Sequence, residues 1–89
     1  MNYRVLLARE AEKVLDRMDR RTSRRIHTRL KQLAVDPFDR RLSAALTERE
    51  GARKSRVGDW RILFAVNSGE LIVYVFAIDT RGQVYKHSS

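Results

Sequence analysis

Tyr3, Val5 and Leu7 alternate with Arg4, Leu6 and Ala8, a period of two that predicts a first strand over residues 3–8 with both faces at least partly covered. From residue 9 the period lengthens. Ala11, Val14, Leu15 and Met18 fall at helical spacing, with Arg9, Glu12, Asp16, Arg17 and Arg20 on the other side, so residues 9–19 read as an amphipathic helix. A second helix follows, with an apolar stripe of Ile26, Leu30 and Leu33, Ala34 beside it, and Thr22 or Ser23 as its cap. Asp36-Pro37 ends it, because a residue before proline avoids the α region. Two helices on so short a connection predict an antiparallel hairpin lying on a sheet. Residues 39–50 are ambiguous, with Leu42, Ala45 and Leu46 suggesting a short helical turn.

The second half returns to strand periods. Residues 52–57, 60–67 and 70–78 read as three strands separated by Gly58-Asp59 and by Asn67-Ser68-Gly69, where glycine supplies the freedom a hairpin turn requires. The run from Leu71 to Ile78 is apolar on both faces and is expected at the centre of the sheet. Arg53-Lys54-Ser55-Arg56 marks residues 52–57 as an edge strand or a functional rim. The predicted fold is α+β, in the order β-α-α-β-β-β. A helix hairpin packs on one face of a small, mainly antiparallel sheet, and the other face stays partly open.

Length limits this to a single domain over residues 1–89, since a chain of this size buries only about 60–65% of its unfolded surface. Charge then gives the domain a direction. Nineteen Lys and Arg oppose eleven Asp and Glu for a net charge of +8. Only Lys13, Lys31, Lys54 and Lys86 among the basic residues are lysine. An arginine excess favours bidentate recognition of phosphate or carboxylate, with a plainly solvated basic surface as the alternative. Cysteine is absent, which removes disulfides, thiolate catalysis and cysteine-based zinc sites. His27 and His87 are the only histidines and belong to no cluster at ligand spacing, so no metal and no cofactor is expected. No apolar run reaches membrane-spanning length and the N-terminus lacks a signal-peptide core, so a cytoplasmic protein without membrane contact is expected.

Two groups of cations stand out. The second helix carries Arg21, Arg24, Arg25, Arg29 and Lys31, in which Arg21–Arg25 and Arg25–Arg29 repel at four-residue spacing. Either nearby carboxylates such as Asp16 and Asp19 or an outside anion must offset that repulsion. The other group is Lys54, Arg56, Arg61, Arg81, Tyr85 and Lys86, with Arg53 alongside. Lys54 and Arg56 share one face of their strand, and Arg61 follows across the Gly58-Asp59 turn. Such a set has the parts for RNA cleavage by the substrate's own 2′-hydroxyl: cations for the phosphate and its transition state, and proton carriers for each oxygen. The alternative is structural, in which Lys54 and Arg56 blunt a sheet edge, Arg61 pairs with Asp59 or Asp79, and Tyr85 packs as an ordinary aromatic. Tyrosine and lysine are poor bases at neutral pH unless a dense cationic neighbourhood lowers their pKa values.

The segment from Lys54 to Phe64, Lys-Ser-Arg-Val-Gly-Asp-Trp-Arg-Ile-Leu-Phe, resembles the basic hairpin of the RelE/ParE toxin superfamily. A Tyr-x-Val start, a helix hairpin closing on Leu33-x-x-Asp36-Pro37, and the terminal Arg81-Gly82-Gln83-Val84-Tyr85 agree with it in order and spacing. The resemblance implies a toxin of a type II toxin-antitoxin system. Its RelE branch consists of ribosome-dependent endoribonucleases that cut mRNA in the decoding site. The implied partners are an acidic antitoxin, ribosomal RNA and mRNA, with operator DNA met only through the toxin-antitoxin complex. Carried over by position, Lys54 and Arg56 ground the substrate and Lys54 supplies the base. Arg61 stabilises the phosphorane, Arg81 assists the leaving oxygen, and Tyr85 orients the 2′-hydroxyl by stacking or shares in proton transfer. By charge rather than by family position, Arg21, Arg24, Arg25, Arg29 and Lys31 suit ribosomal RNA or an acidic antitoxin, and Arg53 and Lys86 join the RNA or ribosome contacts by proximity. The chain departs from the family at Arg53, where an aromatic is common, at Ser55, where an apolar residue is common, and at Thr80, where histidine is common. Relatives with a carboxylate and a C-terminal histidine make Glu50 and His87 a second acid–base pair to consider, while His27 reads as an exposed helix residue. The ParE branch, which poisons DNA gyrase by protein contact, and a non-catalytic nucleic-acid-binding module are the competing functions.

Overall fold

The computed structural model describes residues 2–80; Arg81, Tyr85, Lys86 and His87 lie outside the described residues. The chain runs β1 (Arg4–Leu7), α1 (Arg9–Arg17), α2 (Arg20–Val35), β2 (Ala44–Ala45), β3 (Ala52–Val57), β4 (Trp60–Asn67) and β5 (Ile72–Thr80). The five strands form one sheet in the order β1-β5-β4-β3-β2. Only the β1–β5 pair is parallel, with Val5 opposite Val73. This is the expected α+β arrangement, with β5 inside the sheet as its two-sided apolar pattern requires.

Both helices bury their apolar stripes against the same sheet face. Ala11 and Leu15 of α1 and Ile26, Leu30 and Leu33 of α2 meet Val57, Ile62, Phe64, Val73, Val75 and Ile78 in one core. A smaller cluster of Leu46, Ala52 and Leu63, with Phe76 and Ala77 packed against it, occupies the other face. That second cluster covers part of the face and leaves its charged end open.

Four local expectations change. The cap of α2 is Asp19 rather than Thr22 or Ser23: its carboxylate accepts the Thr22 N–H at 3.0 Å and the Thr22 hydroxyl at 2.7 Å. Residues 39–50 form no helical turn of the expected kind but contain β2, where Ala44 and Ala45 pair with Lys54 and Arg53. β3 is therefore an edge only beyond Lys54. The last strand begins at Ile72 and runs to Thr80 instead of spanning 70–78. In the turn before it, Leu71 takes the left-handed conformation (φ 57°) rather than Gly69, whereas Gly58 (φ 61°) does so in the other hairpin.

The Asp19 cap carries a pH signature. Hydrogen bonds from Thr22, first its backbone N–H and then its hydroxyl, hold the Asp19 carboxyl below its ordinary value. A carboxyl lowered in the folded state stabilises the fold above its unfolded pKa, and the benefit is lost as pH falls through the folded value. Asp19→Ala is expected to lower the melting temperature by a few degrees at pH 7, with the gap closing below about pH 4. Thermal melts of both proteins from pH 7 to pH 3 check this; a gap independent of pH rules the cap out as its source.

Candidate active site

β-sheet register assembles the site. Arg56 of β3 lies opposite Arg61 of β4, and Arg61 lies opposite Asp79 of β5, so the three form one row across the sheet. The next row is Lys54, Leu63 and Ala77. Residues paired across strands share a face and stand about 5 Å apart. Lys54, Arg56 and Arg61 thus occupy the open face, away from the helices.

A β-bulge is what brings Asp79 into that row. Leu63 pairs with Ala77 but Phe64 pairs with Val75, which leaves Phe76 as the extra residue of β5. An extra residue inverts the in–out alternation beyond it. Val73 and Val75 face the core before the bulge, Ile78 faces it after, and Asp79 emerges on the open face. There its Oδ1 accepts the Arg61 Nε–H at 3.2 Å, with side-chain exposures of 14% for Arg61 and 26% for Asp79. That pair is one of the structural alternatives for Arg61. It engages Nε and does not consume the terminal amino nitrogens. Arg56 against Arg61 is a like-charge pair, locally unfavourable, and a bound phosphate between them would relieve it.

Other cations have become structural. Arg29 donates through one terminal nitrogen to Ser55 Oγ at 2.8 Å and to the Arg56 carbonyl at 2.7 Å, and through Nε to Gln32 at 3.1 Å. Ser55 Oγ in turn donates to the Leu42 carbonyl at 2.6 Å. The serine that departs from the family pattern is thus a buried junction between α2, β3 and the loop after α2. Arg53 donates to Ser43 Oγ at 3.0 Å and lies 5.2 Å from the centre of the Phe38 ring. Arg21, Arg24, Arg25 and Lys31 are exposed on α2 and, among the described residues, form no ion pair with Asp16 or Asp19. Arg25 extends over the hairpin turn, where a Cβ on Gly58 would meet its guanidinium at 3.5 Å.

Glu48, which the sequence pattern does not single out, also belongs to the neighbourhood. Its carboxyl is held below the ordinary range by its own backbone N–H first and by the Thr47 hydroxyl, with attraction from Lys54 and Arg61 adding to both. Only its position in the loop before β3 could have marked it. Among the described residues no cluster of three or more His, Cys, Asp or Glu is placed to hold a metal. No helix among them is long and apolar enough to cross a membrane.

Two helices on one face of an open, mostly antiparallel five-stranded sheet is the fold of the RelE-like toxins. The chain matches the family described as the ParE toxin of type II toxin-antitoxin systems, parDE, over residues 5–85, and it belongs to that family, within the RelE/ParE superfamily. Among similar solved structures is the RelBE2 toxin–antitoxin complex of Mycobacterium tuberculosis, at TM-score 0.77 and 23% identity, covering 91% of this chain and 100% of that one. A mutant E. coli RelE toxin in the free state aligns at TM-score 0.79 and 14% identity, covering 99% and 93%. The YoeB/ParE toxin from Agrobacterium tumefaciens aligns at TM-score 0.76 and 15% identity, covering 88% and 98%. At these identities the likeness is one of fold. No curated protein sequence matches the chain closely enough to count as a relative.

Proposed function

We propose that this toxin is a ribosome-dependent endoribonuclease acting in the cytoplasm on mRNA in the decoding site. The observation that carries the reading is the open-face register, with Arg56 directly opposite Arg61 and Lys54 one row away. A single-stranded RNA phosphate placed over this row meets cations from two strands, one of them oriented by Asp79. The 2′-oxygen attacks the adjacent phosphorus and the P–O5′ bond breaks, leaving a 2′,3′-cyclic phosphate and a 5′-hydroxyl. Lys54 in its neutral form takes the 2′-proton, Arg61 balances charge on the phosphorane, and Arg81 stabilises the departing 5′-oxygen, which takes its proton from water as the P–O5′ bond breaks. Tyr85 orients the 2′-hydroxyl. The whole chain acts as one domain, without metal or cofactor. RelE toxins of Pyrococcus horikoshii and Methanococcus jannaschii were solved as complexes with RelB antitoxins. By the same logic an acidic antitoxin neutralises this +8 chain, and operator DNA is met through that complex.

A second reading, inhibition of DNA gyrase by protein contact, is favoured by the ParE name of the matched family. The two readings separate on induction in cells. The nuclease reading predicts translation arrest within minutes, with new 5′ ends in ribosome-bound mRNA mapped by primer extension and little cutting of naked RNA. Filamentation with intact mRNA, and loss of supercoiling by purified gyrase on adding the toxin, would establish the other.

A further inference from the structure

Where β2 begins, the sheet edge opens into a depression of about 260 Å³ lined by Arg29, Arg40, Arg41, Lys54 and Arg56. Lys54 and Arg56 come from the candidate active site. Arg40 and Arg41 come from the loop joining α2 to β2, and neither is assigned a role by the family pattern. Among the described residues no carboxylate lines the depression. One stands behind it: Asp39 pairs with Arg41 at 2.9 Å, and the Arg41 side chain remains 86% exposed.

The loop that presents these arginines is fastened at several points. Asp36 Oδ1 accepts the Phe38 N–H at 3.0 Å, and Asp39 Oδ1 accepts the Arg41 N–H at 2.9 Å. Buried Ser43 donates its hydroxyl to the Pro37 carbonyl at 2.6 Å, and Ser55 reaches the Leu42 carbonyl from β3. A loop in which Asp36 and Asp39 precede the adjacent Arg40 and Arg41, with that much internal bonding, holds its charges in place before a ligand arrives. Guanidinium groups match phosphate oxygens in pairs. Asp39 offsets the charge of Arg41, but Arg40, Lys54 and Arg56 share the depression with no carboxylate among the described residues that line it, and like charges so gathered repel until an anion joins them.

We infer that this notch is a second phosphate subsite, which holds the phosphodiester next to the one cut over Arg56 and Arg61, with Arg40 and Arg41 as its substrate-positioning residues. The inference rests on the nuclease reading for its choice of single-stranded RNA as occupant. Continuity with Lys54 and Arg56 favours RNA over an acidic protein, because a strand lying on the row continues directly into the notch.

The probe is a fluorescein-labelled ten-nucleotide RNA with 2′-O-methyl riboses, which cannot be cut, bound to the full chain and followed by anisotropy between 50 and 300 mM KCl. Each single-strand phosphate contact contributes about 0.7 to the slope of log affinity against log salt. Arg40→Ala is expected to lower that slope by about 0.7, and the Arg40→Ala/Arg41→Ala double variant by about 1.4 with weaker binding at every salt concentration. Arg40→Lys/Arg41→Lys keeps most of the slope, which separates charge from folding. An alanine double variant with wild-type affinity and slope overturns the subsite, even if the toxin cuts mRNA on ribosomes. If the slope falls as expected but no mRNA is cut, the subsite stands and the nuclease reading fails. Should the double variant bind RNA normally and lose affinity only for its antitoxin, the notch is a protein contact and the inference is wrong.

Discussion

Arg61→Ala is expected to abolish growth arrest while leaving the protein folded. The guanidinium sits at the centre of the open-face row, with Arg56 on one side and Asp79 on the other. Removing a donor aimed at developing transition-state charge costs about two to three orders of magnitude in rate. Truncation also leaves Asp79 without its Arg61 bond. At 26% side-chain exposure Asp79 still reaches water, so the loss of stability is on the order of 1 kcal/mol, well below that of a fully buried pair. A domain of this size, with a total stability of about 5–13 kcal/mol, survives that loss. Arg61→Lys keeps the charge and loses the planar fork, so it should retain partial activity. Asp79→Asn keeps the arginine but weakens its orientation and should fall between the two. Growth curves after induction, mapped mRNA ends and a melting curve for each variant provide the measurement. Full toxicity in Arg61→Ala would falsify the proposed site.

The fold was legible wherever burial imposes a period. Alternation along residues 60–67 and the two-sided apolar run after Leu71 predict β4 and the interior place of β5, because both strands are constrained by a core. β2 escapes because Ala44 and Ala45 are both exposed and two residues carry no period. The bulge at Phe76 escapes for the opposite reason: a run apolar on both faces hides a change of phase. With the bulge unseen, either Asp59 or Asp79 could be paired with Arg61, and only the register decides. The α2 cap differs from the expected one because Asp, Thr and Ser all suit the role, and the cap lies three residues ahead of Thr22, at Asp19, with the helix starting at Arg20. Charge was harder still. Arg29 and Arg53 look like two more solvated cations in the sequence, yet their acceptors lie in β3, in Gln32 and in the loop after α2, contacts mostly distant along the chain. Arg81, Tyr85 and Lys86 enter the site through their place in the sequence and the family resemblance, and their substitution tests the half of the proposal that the register does not reach.

Ser55 provides the second large effect, this time on stability. At 1% exposure it is one of the few polar residues within the core, and its hydroxyl both accepts from Arg29 and donates to the Leu42 carbonyl. A strand residue that faces the helices is ordinarily apolar, so on burial alone Ser55→Val should stabilise the protein. The hydrogen bonds predict the reverse. Valine leaves the Leu42 carbonyl without its donor and presents a methyl to the Arg29 guanidinium, which keeps only the Arg56 carbonyl and Gln32. A lost charge-assisted bond and an unsatisfied carbonyl together cost about 2–4 kcal/mol, against about 1 kcal/mol regained by apolar burial. The melting temperature of Ser55→Val should therefore fall by about 5–15 °C. Arg29→Ala should become less damaging in the Ser55→Val background than in the wild type, with a coupling of about 1–2 kcal/mol in a double-mutant cycle. Because the Arg29 clamp also fixes the Arg56 carbonyl, Arg29→Ala should slow mRNA cleavage more than Ser55→Val does at a temperature where both remain folded. A valine variant as stable as the wild type would show that the junction is merely tolerated, and that β3 holds Arg56 in its row without help from the helix.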